Sequence, residues 1–307
     1  MPGKVFISCG QASAEERDTA AELSKWLREQ GFLPYVAIQA QSIQDVNTAI
    51  ISELKASDYY IFIDFPRELI QGDPDGAHRG SLFTHQEMAI AYILGFERVL
   101  FLRHKDVKLE GLLKYMASNA VIFSAPKEAI EQAKESIDQR GWMPSYTRHL
   151  IATNLNWTNG TILYISHSTG EHLVGKFLSI DIQNHRSDLA AFDTVARLSS
   201  INDAKGNSIP VNDRSHLKVN GQPKYEQTIW PGSHGAINLL LARAEQGGAI
   251  CLNSSLDLAP KPPIVTQPGR YILRYEVLAK SFPVLTFSIQ LDVTGDAQTT
   301  QAQLIDG

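Results

Sequence analysis

Apolar positions follow two different rhythms along this chain. Over residues 4–140, short apolar runs alternate with stretches whose apolar residues recur at helical spacing. Strands are expected over 4–9, 32–38, 59–65, 98–103 and 120–123. Helices are expected over 13–30, 43–56, 82–94 and 126–139, with a short helical stretch near 109–118. Ala21, Leu23, Trp26 and Leu27 form the apolar face of the first helix, Gly31 ends it, and Pro126 opens the last. Alternation of this kind predicts an α/β fold, a flavodoxin-like, doubly wound parallel sheet of five strands.

From about residue 160 the period becomes two. Strands are expected over 161–166, 174–183, 194–198, 227–230, 236–241, 249–251, 270–278 and 284–293, punctuated by Asn-Gly, Pro-Gly and Gly-Gly pairs. That pattern predicts an antiparallel β-sandwich of immunoglobulin-like type. The expected organisation is a first domain over 1–145, a connector over 146–157, the sandwich over 158–294 as a recognition or assembly module, and a frayed tail over 295–307.

Composition narrows the function. A chain of 307 residues, 43% hydrophobic, is long enough for two cores. Its net charge of −5 comes without a basic stripe, which argues against nucleic acid as partner. Cys9 and Cys251 are too few for a disulfide framework. No signal peptide is evident and no apolar run approaches roughly eighteen residues, so a cytoplasmic protein with no membrane partner is expected. His167, His172, His185, His216 and His234 are scattered, and no loop has the EF-hand pattern, so no metal and no cofactor is expected. Trp157 and Trp230 are read as core anchors or interface residues, core packing being favoured.

Chemistry concentrates in 79–95, where Glu87 opens an apolar helix between the strands YYIFIDF and RVLFLR. Open α/β sheets bind ligands at the C-terminal ends of their strands. The loop after the first strand, FISCGQASAEERD, lacks a dinucleotide-binding glycine fingerprint but offers Gly10 and the hydroxyls of Ser8 and Ser13. Glu87 has two readings. Thr84-His85-Gln86-Glu87 is a capping-box pattern, in which the glutamate holds only the helix N-terminus. Alternatively its carboxylate faces a crevice, where it bonds a ribose and stabilises the positive charge of a breaking glycosidic bond. His78 and His85 are read as surface polar groups.

Several of these segments resemble the Toll/interleukin-1 receptor (TIR) family. The strand KVFISC at 4–9 is similar to the family's opening strand, and IISELKASDYYIFI at 50–63 is similar to its second helix and third strand. Ser81, six residues before Glu87, matches the family's serine and catalytic glutamate. Cys9, the loop 39–44, and Leu82 and Phe83 depart from the usual pattern. The resemblance covers about 1–140 and implies a bacterial enzyme that cleaves the nicotinamide–ribose bond of NAD, by hydrolysis or cyclisation. NAD would be substrate rather than cofactor. Glu87 would be catalytic, with Ser8, Cys9, Gly10, Ser81 and Phe83 binding substrate. Self-association through the TIR-like domain, and a protein or small-molecule trigger at the sandwich in anti-phage defence or effector signalling, are further implications. Two alternatives stand beside it, a non-enzymatic adaptor and a nucleoside deoxyribosyltransferase-like enzyme whose glutamate forms a covalent glycosyl intermediate.

Overall fold

Five short strands, β1 (Lys4–Cys9), β2 (Leu33–Val36), β3 (Tyr59–Asp64), β4 (Val99–His104) and β5 (Val121–Phe123), pair in parallel in the order β2-β1-β3-β4-β5. The computed structural model describes residues 2–37, 43–158, 164–165, 172–173, 175–244, 247–253 and 262–306. The chain divides into two units, Met1–Thr147 and Arg148–Gly307. The expected loop 39–44 and strand 161–166 lie largely outside the described residues.

In the first unit every residue of β3, and all of β1 after Lys4, is buried, as in a sheet covered on both faces. Helices α1 (Ala14–Glu29), α2 (Ile43–Ala56), α3 (Leu82–Ile93), α4 (Leu113–Met116) and α5 (Pro126–Gln139) fill the connections. Val5, Ile7 and Cys9 of β1 share one core with Ala20, Leu23 and Leu27 of α1 and Ala129, Ala133 and Ile137 of α5. The alternate residue Phe6 joins Tyr60, Phe62, Met88 and Ala91 in a second core under α3. The period-two alternation of β1 therefore sends Ser8 toward α3 and Cys9 toward α1. The stretch 66–80, read from sequence as a loop, contains a small antiparallel hairpin, Glu68–Leu69 with His78–Arg79.

The second unit is built of two antiparallel sheets around a common core. One runs Pro263–Val265, Ala249–Leu252, His234–Arg243, Gly175–Asn184, Leu150–Thr158; the other runs Ser208–Ile209, Ala191–Asp203, Gly269–Lys280, Leu285–Val293, Gln301–Asp306. Gln227–Ile229 also pairs with Ala191–Asp203. Inward residues Leu178, Ile180, Ile182, Leu273, Tyr275, Val277, Phe287, Ile289 and Leu291 form one buried cluster. Two expectations need correction. The stretch 146–157 is no plain connector, because Leu150–Thr158 pairs along Gly175–Asn184 as an edge strand. Nor is 295–307 a frayed tail, because Gln301–Asp306 pairs with Leu285–Val293. Both are edge strands with polar outward faces, the composition that masks strand character. Trp230 is 62% exposed and rests edge-on against Phe192 instead of anchoring the core.

Tyr275 and Phe287 are direct cross-strand partners, both fully buried, with rings stacked 5.3 Å apart. Phe287→Ala removes that ring from a filled core and is expected to lower the stability of this unit by about 3–5 kcal/mol in denaturant unfolding. A loss under about 1 kcal/mol would mean that the two sheets do not share the core described.

Candidate functional site

The reversal of strand order falls between β1 and β3, the gap where flavodoxin-like sheets bind ligands. Helix α3 packs over both strands there. Its start is fixed by a buried acid at the end of β3. Asp64 is fully buried; its Oδ1 accepts the Ser81 backbone N–H at 3.1 Å and its Oδ2 lies 2.7 Å from His85 Nε2. Gly80 makes room for this: a Cβ at that position would stand 2.0 Å from both Asp64 carboxylate oxygens. His85, read from sequence as a surface group, is thus tied to a buried carboxylate and only 15% of its side chain is exposed. Asp64 itself went unremarked, because its partners lie 17 and 21 residues away and no local pattern links them.

With α3 starting there, Ser81 is the N-cap, its side chain making no capping bond. Thr84 donates its hydroxyl to the Ser81 carbonyl at 2.8 Å. Glu87 therefore lies in the second turn, beyond reach of the free N–H groups, and the capping-box reading fails. Its carboxylate turns to β1 instead, where Ser8 Oγ donates to Glu87 Oε2 at 2.5 Å. Ser8 is fully buried and Glu87 is 8% exposed. Burial pushes the Glu87 pKa up to about 7, and the Ser8 hydrogen bond opposes it.

Tyr60, from the same face of β3, completes the surroundings. Its ring stacks on Phe6 at 6.0 Å, and its hydroxyl is buried with no hydrogen-bond partner among the described residues. Burial and then the Glu87 charge hold that phenol well above its ordinary range, the nearby Ser8 hydroxyl opposing. With Met88, Tyr92, Phe96, Phe101 and Met116, Tyr60 also lines an apolar cavity of about 260 Å³.

A second acid shapes the loop after β1. Glu16 accepts the backbone N–H groups of Ala12 and Ser13 at 2.7 and 2.9 Å, in a full capping box with Ser13. Arg67 pairs with it through two bonds of 2.8 and 3.0 Å. A Cβ on Gly10 would stand 2.1 Å from Glu16 Oε1 and 2.5 Å from the Arg67 guanidinium, so this glycine serves close approach.

Of the residues singled out from sequence, Ser8 and Glu87 meet directly. Ser81 is buried at the foot of the same helix, and Gly10 lies in the loop braced by Glu16. Cys9 turns its thiol to the opposite face of the sheet, 3.4 Å from the Glu16 carbonyl, where burial pushes its pKa up. Phe83 is 61% exposed on the first turn of α3. Among the described residues no group of three or more His, Cys, Asp or Glu side chains is arranged to hold a metal ion. Among them, too, no helix is long and apolar enough to cross a membrane.

The folded protein holds the Glu87 proton to higher pH than the unfolded chain does. Stability therefore falls as pH rises from about 4.5 to about 7 and levels off above that. The interval corresponds to on the order of 3 kcal/mol. Glu87→Gln removes the charge while keeping an acceptor for Ser8. At pH 8 it is expected to be roughly 2–3 kcal/mol more stable than the parent in urea unfolding, and near pH 4 the two should converge. Equal stability at pH 8 would contradict the buried, uncompensated carboxylate.

No protein-family model matches the chain, and no curated protein matches it. Among solved structures it is similar to the CMP N-glycosidase BcmB of Clostridium botulinum, at 19% identity over 43% of this chain and 98% of that one, with a TM-score of 0.32. It is also similar to a 2-deoxyribosyltransferase from Bacillus psychrosaccharolyticus, at 14% identity over 42% and 90% of the two chains, with a TM-score of 0.28. A family 123 glycoside hydrolase from Clostridium perfringens matches at 13% identity over 48% and 28%, with a TM-score of 0.27. At these values the likenesses say nothing of this chain's chemistry, which rests on its own residues.

Proposed function

We propose that the first unit is an enzyme cleaving the N-glycosidic bond between a ribose and its base, with Glu87 as the carboxylate facing the sugar. One observation carries this reading. A buried carboxylate stands where the strand order reverses, bonded among the described residues by Ser8 alone and released from any capping duty. As the bond to the base breaks, positive charge spreads over C1′ and the ring oxygen. An oriented carboxylate in a poorly solvated site stabilises that charge far more than water would. Ser8 holds Oε2, leaving Oε1 outside that bond.

The favoured substrate is NAD or a relative. Nicotinamide leaves a pyridinium nucleotide as a neutral molecule, so no general acid is needed. The nearby groups suit that requirement: the Tyr60 phenol is held too high to give up its proton, and His85 is engaged by Asp64. Water, or the adenine end of the same molecule, then captures C1′. In this reading the unit is of TIR type and associates with further copies of itself. The immunoglobulin-like sandwich is a recognition or assembly module, and the setting is bacterial defence or effector signalling in the cytoplasm.

A second reading keeps the same carboxylate but makes Oε1 a nucleophile. It bonds C1′ as the base departs with the bonding electrons, and a second base or water then displaces it, as in deoxyribosyl transfer. An Oε1 that takes no part in the Ser8 bond favours it equally well. The adaptor reading has less support, since it needs Glu87 folded onto its helix terminus, where no such bond exists.

Chromatography of NAD and nucleoside reactions with parent protein and Glu87→Gln tests the proposal. The variant is expected to lose about a hundred- to thousand-fold in rate, roughly 3–4 kcal/mol of transition-state stabilisation, while remaining folded. Since the working carboxylate must be ionised, kcat/KM for the parent should climb with pH through about 7 and then level off. Full turnover by folded Glu87→Gln would end this reading; exchange of one base for another would move the assignment to the transferase.

A further inference from the structure

The hydroxyl of Tyr60 has no evident reason to be where it is. Tyr60 is fully buried, its ring lying over Phe6 and 5.7 Å from Phe96. Phenylalanine would supply the same packing. An unpaired buried hydroxyl costs roughly 1–3 kcal/mol, so packing alone favours its removal. Tyr275 in the sandwich also buries an unpartnered hydroxyl, but there the neighbours are core side chains such as Phe287. Around Tyr60 the packing is apolar too, with Phe6, Met88 and Phe96 against it, but two polar groups lie close by. The Glu87 charge acts on its phenol and the Ser8 hydroxyl is close enough to oppose that effect. In the β1–β3 register Phe6 faces Tyr60 and Ser8 faces Phe62, so Tyr60 and Ser8 are diagonal neighbours on the face that α3 covers, where Ser8 is bonded to Glu87.

We propose that Tyr60 is a positioning residue, the outer member of a hydroxyl relay in which Tyr60 donates to Ser8 and Ser8 donates to Glu87 when that carboxylate ionises. A serine hydroxyl gives one proton and has two lone pairs. Ser8 commits its proton to Glu87 Oε2, and among the described residues no hydrogen bond is donated to its oxygen. Charge on Glu87 polarises the Ser8 O–H and makes its oxygen a better acceptor. The Tyr60 phenol, which keeps its own proton, is placed to fill it. While Glu87 is protonated the pull is weak and the phenol stays unpaired. No buried cation is needed to hold the charge. Cys9 on β1 and Tyr35 on β2 also feel Glu87, and both keep their protons more tightly for it, so neither neutralises it. Asp64 on β3 has its oxygens occupied by Ser81 and His85. The relay gains its purpose from Glu87 as the working carboxylate, but its test does not depend on turnover.

The test is a titration of the Glu87 carboxyl by carbon-13 NMR in the full chain with labelled glutamate, the signal assigned by its loss in Glu87→Gln. Tyr60→Phe is expected to lower the acid ionisation constant of Glu87 by about three- to tenfold, the worth of one hydrogen bond. Ser8→Ala should lower it further. In the Ser8→Ala background, Tyr60→Phe should then add nothing, because the link is gone. An unchanged Glu87 midpoint in folded Tyr60→Phe overturns the relay, as does an undiminished effect in the Ser8→Ala background. In whichever glycosidic reaction the parent performs, the rising limb of the kcat/KM profile should move to higher pH in Tyr60→Phe. A merely packing role would leave that limb in place. Should Glu87→Gln stay fully active, the proposed function fails, while the titration still decides the relay.

Discussion

Everything at the candidate site depends on one buried contact, the grip of Asp64 on the first turn of α3. By accepting the Ser81 N–H and holding His85, it decides which residue begins the helix. Successive residues of an α-helix are rotated by about 100°, so a start displaced by one position would swing Glu87 away from β1. The contact also explains the glycine before it, since any side chain at Gly80 would occupy the carboxylate's own space. A fully buried acid is costly unless its bonds are complete, and here the helix terminus and an imidazole complete them.

The loop after β1 follows the same logic with different parts. Glu16 gathers the backbone of Ala12 and Ser13 and the guanidinium of Arg67, and Gly10 is small because that cluster crowds it. Two carboxylates thus build the walls of the gap, and a third, Glu87, is held within it, bonded among the described residues by the Ser8 hydroxyl alone. The first two are spent on structure. Burial pushes the pKa of the third up to about 7, so that it changes its protonation state near neutral pH.

Much of this was legible in the sequence, for identifiable reasons. Buried parallel strands read as apolar runs, and YYIFIDF and KVFISC could hardly be anything else. Glu87 stood out as an acid at the head of an apolar helix. Its orientation did not, because Thr84 three residues earlier imitates a cap while the true N-cap is Ser81. The pairing of His85 with Asp64 and of Arg67 with Glu16 joins residues far apart in the chain, which local spacing cannot reveal. In the sandwich, Gly269–Lys280 and Leu285–Val293 were plain from alternation. Leu150–Thr158 and Gln301–Asp306 were not, since edge strands show more of their polar face.

The lone, expensive carboxylate has a consequence for how this protein fares in a living population. Folded fraction governs abundance, and a gain of a kcal/mol or two changes the amount of protein a cell retains severalfold. A neutral isostere such as glutamine at position 87 moves the chain toward higher yield, so selection for expression alone favours its loss as an acid. A lineage in which an acid persists there is being held against that drift by something other than folding. The steady-state level of the Glu87 variants in cells therefore becomes a gauge of how much stability is being surrendered to keep that acid in place.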